Sequence, residues 1–300
     1  MPKYRLKHII EYLFVRAVAG MLNALPYRVA LALAWLLAAL AFCMARSRVR
    51  ETRRRIRLVF GDRMPEDKVR HIVWISCRNL FFNAVEMLRV NRLDAQWMAS
   101  SCDCEEAAKL VKEALAGGHG GVAAVPHMGN WEVAAVVCRL HDIPVFAIAG
   151  RQANPLTNSY LTRLRGGRSA AIVERGSDAI SAVTRRLKTG QLMAILPDVR
   201  MRTPGVLVPF LGGTANIGSG MALFARRAGV PILPGYSRRV GWTRHVFRMF
   251  PPVYPDNSLD KGEDVVRMTT QVMKYIEEAI RREPEQWFWF NSRWILDPLD

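Results

Sequence analysis

Acidic residues are the scarce charge in this sequence. Twenty-six Asp and Glu face forty-three Lys and Arg over 300 residues, a formal net charge of +17. Such an excess requires an anionic partner: lipid phosphates, an acidic carrier protein or nucleic acid. Recognised nucleic-acid motifs are absent, which removes nucleic acid from the expected partners. Cysteine is also sparse. Cys43, Cys77, Cys102, Cys104 and Cys138 are an odd, scattered set with no disulfide framework, and Cys102-Asp-Cys104 lacks a second pair for zinc. A reducing compartment fits, with the cysteines buried or incidental. The histidines are not set at metal-ligand spacing, so no metal is expected. Ser219, in Gly218-Ser-Gly220, lacks the five-residue nucleophile elbow, which argues against an acylated serine. No repeat or low-complexity linker interrupts the chain.

Long apolar runs are confined to the N-terminus. Val29–Ala45 is seventeen residues without a charge, the short end of what can cross a bilayer, and Arg28 and Arg46 could snorkel at its ends. Seven arginines follow between Arg46 and Arg57 against Glu51 alone, so the positive-inside tendency places the following domain in the cytoplasm. Upstream, Ile10, Phe14, Val18, Met21, Leu22 and Leu25 form a helical stripe suited to the membrane interface; a hairpin packed on the protein is the alternative. Arginines stand where a cleavable signal would place small residues. Residues 1–57 are therefore expected to be an anchor with a basic juxtamembrane segment, and residues 58–300 a catalytic domain. Next to a membrane, the arginine cluster becomes a docking element for anionic lipid.

The rest of the chain alternates. Helices are expected over Glu66–Val90 and Cys104–Ala116, then strand Gly121–Val125, helix Trp131–His141, strand Val145–Ala149, helix Asn158–Leu164, strand Ala171–Val173, helix Asp178–Thr189 and strand Leu192–Leu196. This pattern predicts an α/β fold: a mixed, mostly parallel central sheet flanked by helices. Further strands are expected at Leu207–Phe210, Ile232–Ser237 and Val246–Phe250, with helices at Ser219–Gly229 and Asp264–Arg282.

The densest chemistry is His127-Met-Gly-Asn-Trp-Glu132, in the turn after the first of these strands. Gly129 permits positive φ and Asn130 can cap the next helix, whose positive dipole end would then face the site. There His127 can take a proton from an incoming hydroxyl while Glu132 braces the ring. Alternatively His127 is a hydrogen-bonding loop residue and Glu132 a capping-box partner. Arg151, Arg175 and Asp198 each fall just beyond the carboxyl end of a different strand, the edge where open α/β sheets bind ligands. Trp287, Phe288, Trp289, Phe290 and Trp294 form an aromatic patch that suits either acyl chains or core packing.

The His-x4-Glu spacing of this motif resembles the signature of glycerolipid acyltransferases, in the form found in bacterial lipid A late acyltransferases and their phosphatidylinositol mannoside relatives. Supporting pieces are Arg151 with Asn154-Pro155-Leu156, Leu196-Pro197-Asp198, Val208–Gly212, Arg227–Ile232, Glu283–Trp289 and Arg293-Trp294. The resemblance implies a glycerolipid acyltransferase-like fold behind a membrane-anchor helix, at the cytoplasmic face of the bacterial inner membrane. It implies transfer of an acyl group from an acyl carrier protein or coenzyme A thioester, as co-substrate and without a resident cofactor, to a hydroxyl of a lipid A precursor. A lysophospholipid or mannoside acceptor is the alternative, and a noncatalytic lipid-binding module on the same fold is another. His127 would be general base and Glu132 its partner, with Arg151 and Asp198 positioning substrate; Asn130 and Arg175 complete the expected substrate contacts. Pro197-Asp198-Val199 and Asn291-Ser292-Arg293-Trp294-Ile295 depart from the Pro-Asp-Gln and His-Arg-Arg-Trp-Lys wording of many lipid A enzymes.

Overall fold

A computed structural model describes residues 4–149, 153–168, 171–174 and 179–297. Helices are α1 Leu6–Ala24, α2 Tyr27–Met44, α3 Arg46–Phe60, α4 Glu66–Leu88, α5 Ala95–Ser101, α6 Glu105–Leu115, α7 Trp131–Leu140, α8 Pro155–Arg168, α9 Ala179–Lys188, α10 Gly220–Ala228 and α11 Lys261–Arg282. Strands are β1 Cys102–Asp103, β2 Gly121–Ala124, β3 Val145–Ala149, β4 Ala171–Glu174, β5 Leu192–Ile195, β6 Val206–Phe210, β7 Gly213–Ile217, β8 Ile232–Val240 and β9 Arg244–Met249. The expected alternation is present, with ends shifted by a few residues. The structure adds β1, α5 and β7 to it.

Seven strands form one sheet in the order β1-β9-β8-β2-β5-β3-β4. Every pairing is parallel except β8 with β9, which are joined by a tight turn at Gly241 and run antiparallel. The strands β2 and β5 lie at the centre and are short and apolar, as strands covered on both faces must be. Their side chains alternate between two layers. Val122, Ala124 and Met193 join the large core under α9, α10 and α11, whereas Ala123 and Leu192 face α6 and α7. The helix α11 buries Val265, Met268, Val272, Ile276 and Ile280 along one stripe, the helical spacing visible in the sequence. A separate hairpin, β6 with β7, packs beside it.

The N-terminal helices are part of this body. The helix α2 lays Ala30, Leu31, Ala34 and Ala38 onto the protein, and Leu31 shares a cluster with Phe82 and Val85 of α4. Alanine at that spacing lets two helix backbones approach closely. The other side of α2 leaves Val29, Leu36, Leu37, Leu40 and Met44 exposed, and α1 likewise exposes Leu6, Ile10, Leu13 and Phe14. By length and composition, α2 is the one helix among the described residues able to cross a membrane. The arginine run is helix α3, which continues to Phe60 across the expected boundary at residue 57. Its Arg55 is buried and donates to the carbonyls of Trp289 and Asn291 at 3.0 and 2.8 Å, so the run is not wholly a solvated face. Replacing Ala34 by Leu should overpack the α2–α4 contact and cost about 1–3 kcal/mol. Chemical denaturation of the detergent-solubilised protein reads this as a lowered midpoint with unchanged slope.

Candidate functional site

The site begins with strand register. Ala124 of β2 pairs with Ile195 of β5 in parallel, so the residues three positions beyond each strand, His127 and Asp198, leave the sheet side by side. Nδ1 of His127 lies 2.8 Å from Oδ1 of Asp198, and the His127 backbone N–H donates to Oδ2 at 2.7 Å. The carboxylate bonded to the ring at Nδ1 is therefore Asp198, where the sequence had suggested Glu132. The reason is the parallel pairing, which a local motif does not display. Trp287 Nε1 also donates to Oδ2 of Asp198, at 2.7 Å. Burial works to raise the pKa of Asp198, but the facing His127 and these hydrogen bonds outweigh it and hold the carboxyl below the usual range. With Nδ1 engaged by the Asp198 carboxylate, Nε2 is the ring nitrogen that can act on a substrate.

The turn carrying His127 is built as the sequence suggested. Gly129 has φ +58°, and a Cβ there would sit 2.3 Å from the Ser237 carbonyl oxygen, so only glycine fits. Asn130 is the N-cap of α7, accepting from the N–H groups of Glu132 and Val133 at 3.0 and 3.3 Å. Its amide donates to Glu86. With no exposed surface and every polar atom engaged inside the protein, Asn130 shapes the turn; the expected substrate contact is corrected to that positioning role. Glu132 lies in the first turn of α7 and lines a small recess with Met87, Val90 and Val136. Arg151 and Arg175 lie outside the described residues. Trp131 sets its ring edge-on to the His127 imidazole at 4.9 Å.

Two supports were hidden in the sequence. The aromatic C-terminal segment braces the turn from one side: Phe288 N–H donates to the His127 carbonyl at 2.9 Å and Gly129 N–H to that of Gln286 at 3.0 Å. Trp287, Trp289 and Trp294 are buried and pack on one another. On the other side stands a buried polar cluster around Glu86, an acid on the packed face of α4. Arg239 of β8 donates to both carboxylate oxygens at 2.7 and 2.6 Å. His245 of β9 contributes Nε2 at 3.2 Å, and Tyr27 of α2 donates its hydroxyl. Asn83, next to Glu86 on α4, donates to the Gly129 carbonyl at 2.7 Å. The sequence signals were an acid on the apolar side of a long helix and, separately, an arginine in an apolar strand.

His127 lines a cleft of about 590 Å³ together with Ala147, Ile195, Met201, Phe224 and Arg293. On the opposite face of the sheet, α6 and α7 cover a second pocket with almost wholly apolar walls, including Ala108, Ala123, Trp131, Ala135 and Leu192. Ala194 and Leu196 border both spaces; Pro126 lines the apolar pocket and the next residue, His127, lines the cleft. His127 thus borders a wide cleft, next in the chain to a wall of an apolar pocket.

Burial opposes ionisation of Glu86, yet Arg239 and His245 overcome it and hold its pKa well below the carboxylate range. A depressed folded pKa gives stability that is complete above the unfolded value of about 4.3 and is lost as pH falls below it. Glu86→Gln should therefore cost about 3–5 kcal/mol at neutral pH by stranding Arg239, and its deficit against the parent protein should shrink as denaturation is repeated at lower pH. Gly129→Ala should keep the sheet but distort the His127 turn, read as a near-complete loss of whatever reaction the site performs.

Similar proteins include two from mycobacteria, both named phosphatidylinositol mannoside acyltransferase. The one from Mycolicibacterium smegmatis is 24% identical over 192 residues, covering 62% of this chain and 60% of the relative. The one from Mycobacterium tuberculosis is 25% identical over 193 residues, covering 61% and 57%. The chain thus matches somewhat under two thirds of the length of each. A match running from residue 2 to residue 295 is far broader, and by it the chain belongs to the bacterial lipid A biosynthesis acyltransferase family.

Proposed function

We propose that this protein transfers a fatty acyl group from a thioester to a hydroxyl of a membrane glycolipid, with the hydroxyl activated by His127. The observation that carries the reading is the 2.8 Å contact between His127 Nδ1 and the buried Asp198, in a residue that also borders an open cleft. The acceptor O–H gives its proton to Nε2 as its oxygen attacks the thioester carbonyl carbon. The tetrahedral intermediate collapses with cleavage of the C–S bond, and the imidazolium returns the proton to the departing thiolate. Asp198 stabilises the imidazolium while it lasts. Glu132, at the positive end of α7, is assigned a supporting charge beside the ring, and Arg151 the clamp on the developing oxyanion or a substrate phosphate. Arg175 is assigned a weaker place in the same substrate contact.

The donor is read as acyl carrier protein or coenzyme A, either of which presents acidic groups to a chain of net charge +17. A lipid A precursor is the first acceptor, on the family; a mannosylated phosphatidylinositol is the second, favoured by the names of the similar mycobacterial proteins. The apolar pocket under α6 and α7 suits the acyl chain, and the wider cleft with Asn291 and Arg293 suits a polar lipid. The exposed apolar faces of α1 and α2 would seat the protein in the inner membrane from its cytoplasmic side, with α3 arginines on anionic headgroups.

With acyl carrier protein thioester and extracted glycolipid, His127→Ala should lower kcat by about 10²–10⁴-fold, the usual contribution of a general base. Thiol release at the parental rate in that folded variant removes His127 from the chemistry. Asp198→Asn should lose nearly as much, whereas Glu132→Gln separates charge from capping: intact turnover with lower stability would leave Glu132 as a structural residue. Ala135→Phe should shift donor preference towards shorter chains; an unchanged chain-length profile places the acyl chain elsewhere.

A further inference from the structure

At the far end of α7 from His127, a second cluster joins residues that the acyl-transfer site does not use. Cys104, the N-cap residue of α6, is buried, and its Sγ lies 3.6 Å from Nε2 of His141, the C-cap residue of α7. The same Nε2 is 3.8 Å from Oε1 of Glu105. The three donor atoms lie within 4.8 Å of one another. They come from thiol, imidazole and carboxylate, the ligand types of a zinc site.

We propose that Cys104, Glu105 and His141 form a binding site for a thiophilic divalent cation of the Zn²⁺ class. The spacing supports this directly. A tetrahedral ion with sulfur at about 2.3 Å and nitrogen at about 2.05 Å sets those two donors about 3.6 Å apart, and a nitrogen and an oxygen about 3.4 Å apart. The observed pairs, at 3.6 and 3.8 Å, need little movement to close on one ion. Glu105 supplies that movement, because its side chain is 86% exposed. It also leaves the solvent side of the site open for a water as fourth ligand. Loading exchanges the Cys104 thiol proton for the metal: the S–H bond breaks, the S–Zn bond forms, and the proton leaves to solvent. With three protein ligands, binding is weaker than in a four-ligand structural site.

The sequence hides the site because Cys104 and His141 are separated by two helices and a strand. Cys102-Asp-Cys104 reads as half a zinc motif without its second pair, and the missing partner is a histidine 37 residues away. An ion here would tie the start of α6 to the end of α7. Ala107, Ala108 and Val111 of α6, and Ala134, Ala135 and Val137 of α7, are walls of the apolar pocket. The cation would therefore clasp that pocket at the end away from the base.

The test uses the full-length protein, stripped with chelator, incubated with Zn²⁺ or Co²⁺ and desalted. Elemental analysis should find one equivalent of zinc retained, and the cobalt form should show a tetrahedral visible spectrum with an ultraviolet thiolate-to-cobalt band. Cys104→Ser should abolish that band and His141→Ala should abolish retention. Glu105→Gln, at an exposed position, leaves the fold intact and should weaken affinity several-fold. No zinc retained by the parent protein overturns the proposal. So does retention equal in parent and variants, which would mean adventitious binding elsewhere, or an unchanged affinity in Glu105→Gln. These readouts do not depend on acyl transfer, so their outcome is separate from that of the proposed reaction.

Discussion

One buried carboxylate holds the site's surroundings together. Glu86 has no exposure, and it takes hydrogen bonds from α2 through Tyr27, from the turn before α7 through Asn130, from β8 through Arg239 and from β9 through His245. Burying a charge is costly and is tolerated only with a full set of partners. Each partner is therefore constrained by the same atom pair, and the turn that presents His127 inherits that constraint. The helix with the apolar outer face, α2, is tied to the same point. The placement of α2 and the geometry of the His127 turn are thus two consequences of one cluster.

His127 itself is placed by the sheet. Parallel pairing of β2 and β5 brings two short loops to the same edge, and the C-terminal aromatic segment closes over them through Trp287 and Phe288. Segments about seventy and a hundred and sixty residues from His127 therefore share its environment. The sheet edge is rigid because β2 and β5 are covered on both faces, and rigidity is what a proton-transfer site needs, since misplacement by an ångström is expensive in rate.

Much of this was legible in the residues. Strands β2 to β5 and helices α7 and α9 follow from short apolar runs and helical spacing, and Gly129 and Asn130 behave as turn chemistry predicts. The sheet edge that gathers His127 and Asp198 follows from the alternation alone. What stayed hidden is pairing at long range. Glu132 is near His127 in sequence, so a local motif suggests it as the ring's brace, yet the Nδ1 bond goes to Asp198, whose proximity exists only once β5 lies beside β2. Trp287 was visible as an aromatic but not as a donor to that carboxylate. Glu86 and Arg239 looked like ordinary charges because 153 residues separate them. Strand β7 was missed because Gly213–Ile217 is short and carries Gly213, an exposed Thr214 and a buried polar Asn216, which break the apolar alternation.

The proposed acyl transfer rests on a single chemical requirement: an imidazole whose Nδ1 carries the proton and whose Nε2 is free to accept one. The most direct measurement is ¹⁵N NMR of the His127 side chain in the full-length protein at neutral pH, assigned by comparison with His127→Gln. The account predicts a proton on Nδ1, hydrogen-bonded to Asp198, and an unprotonated Nε2. A proton on Nε2 with a bare Nδ1 would contradict it.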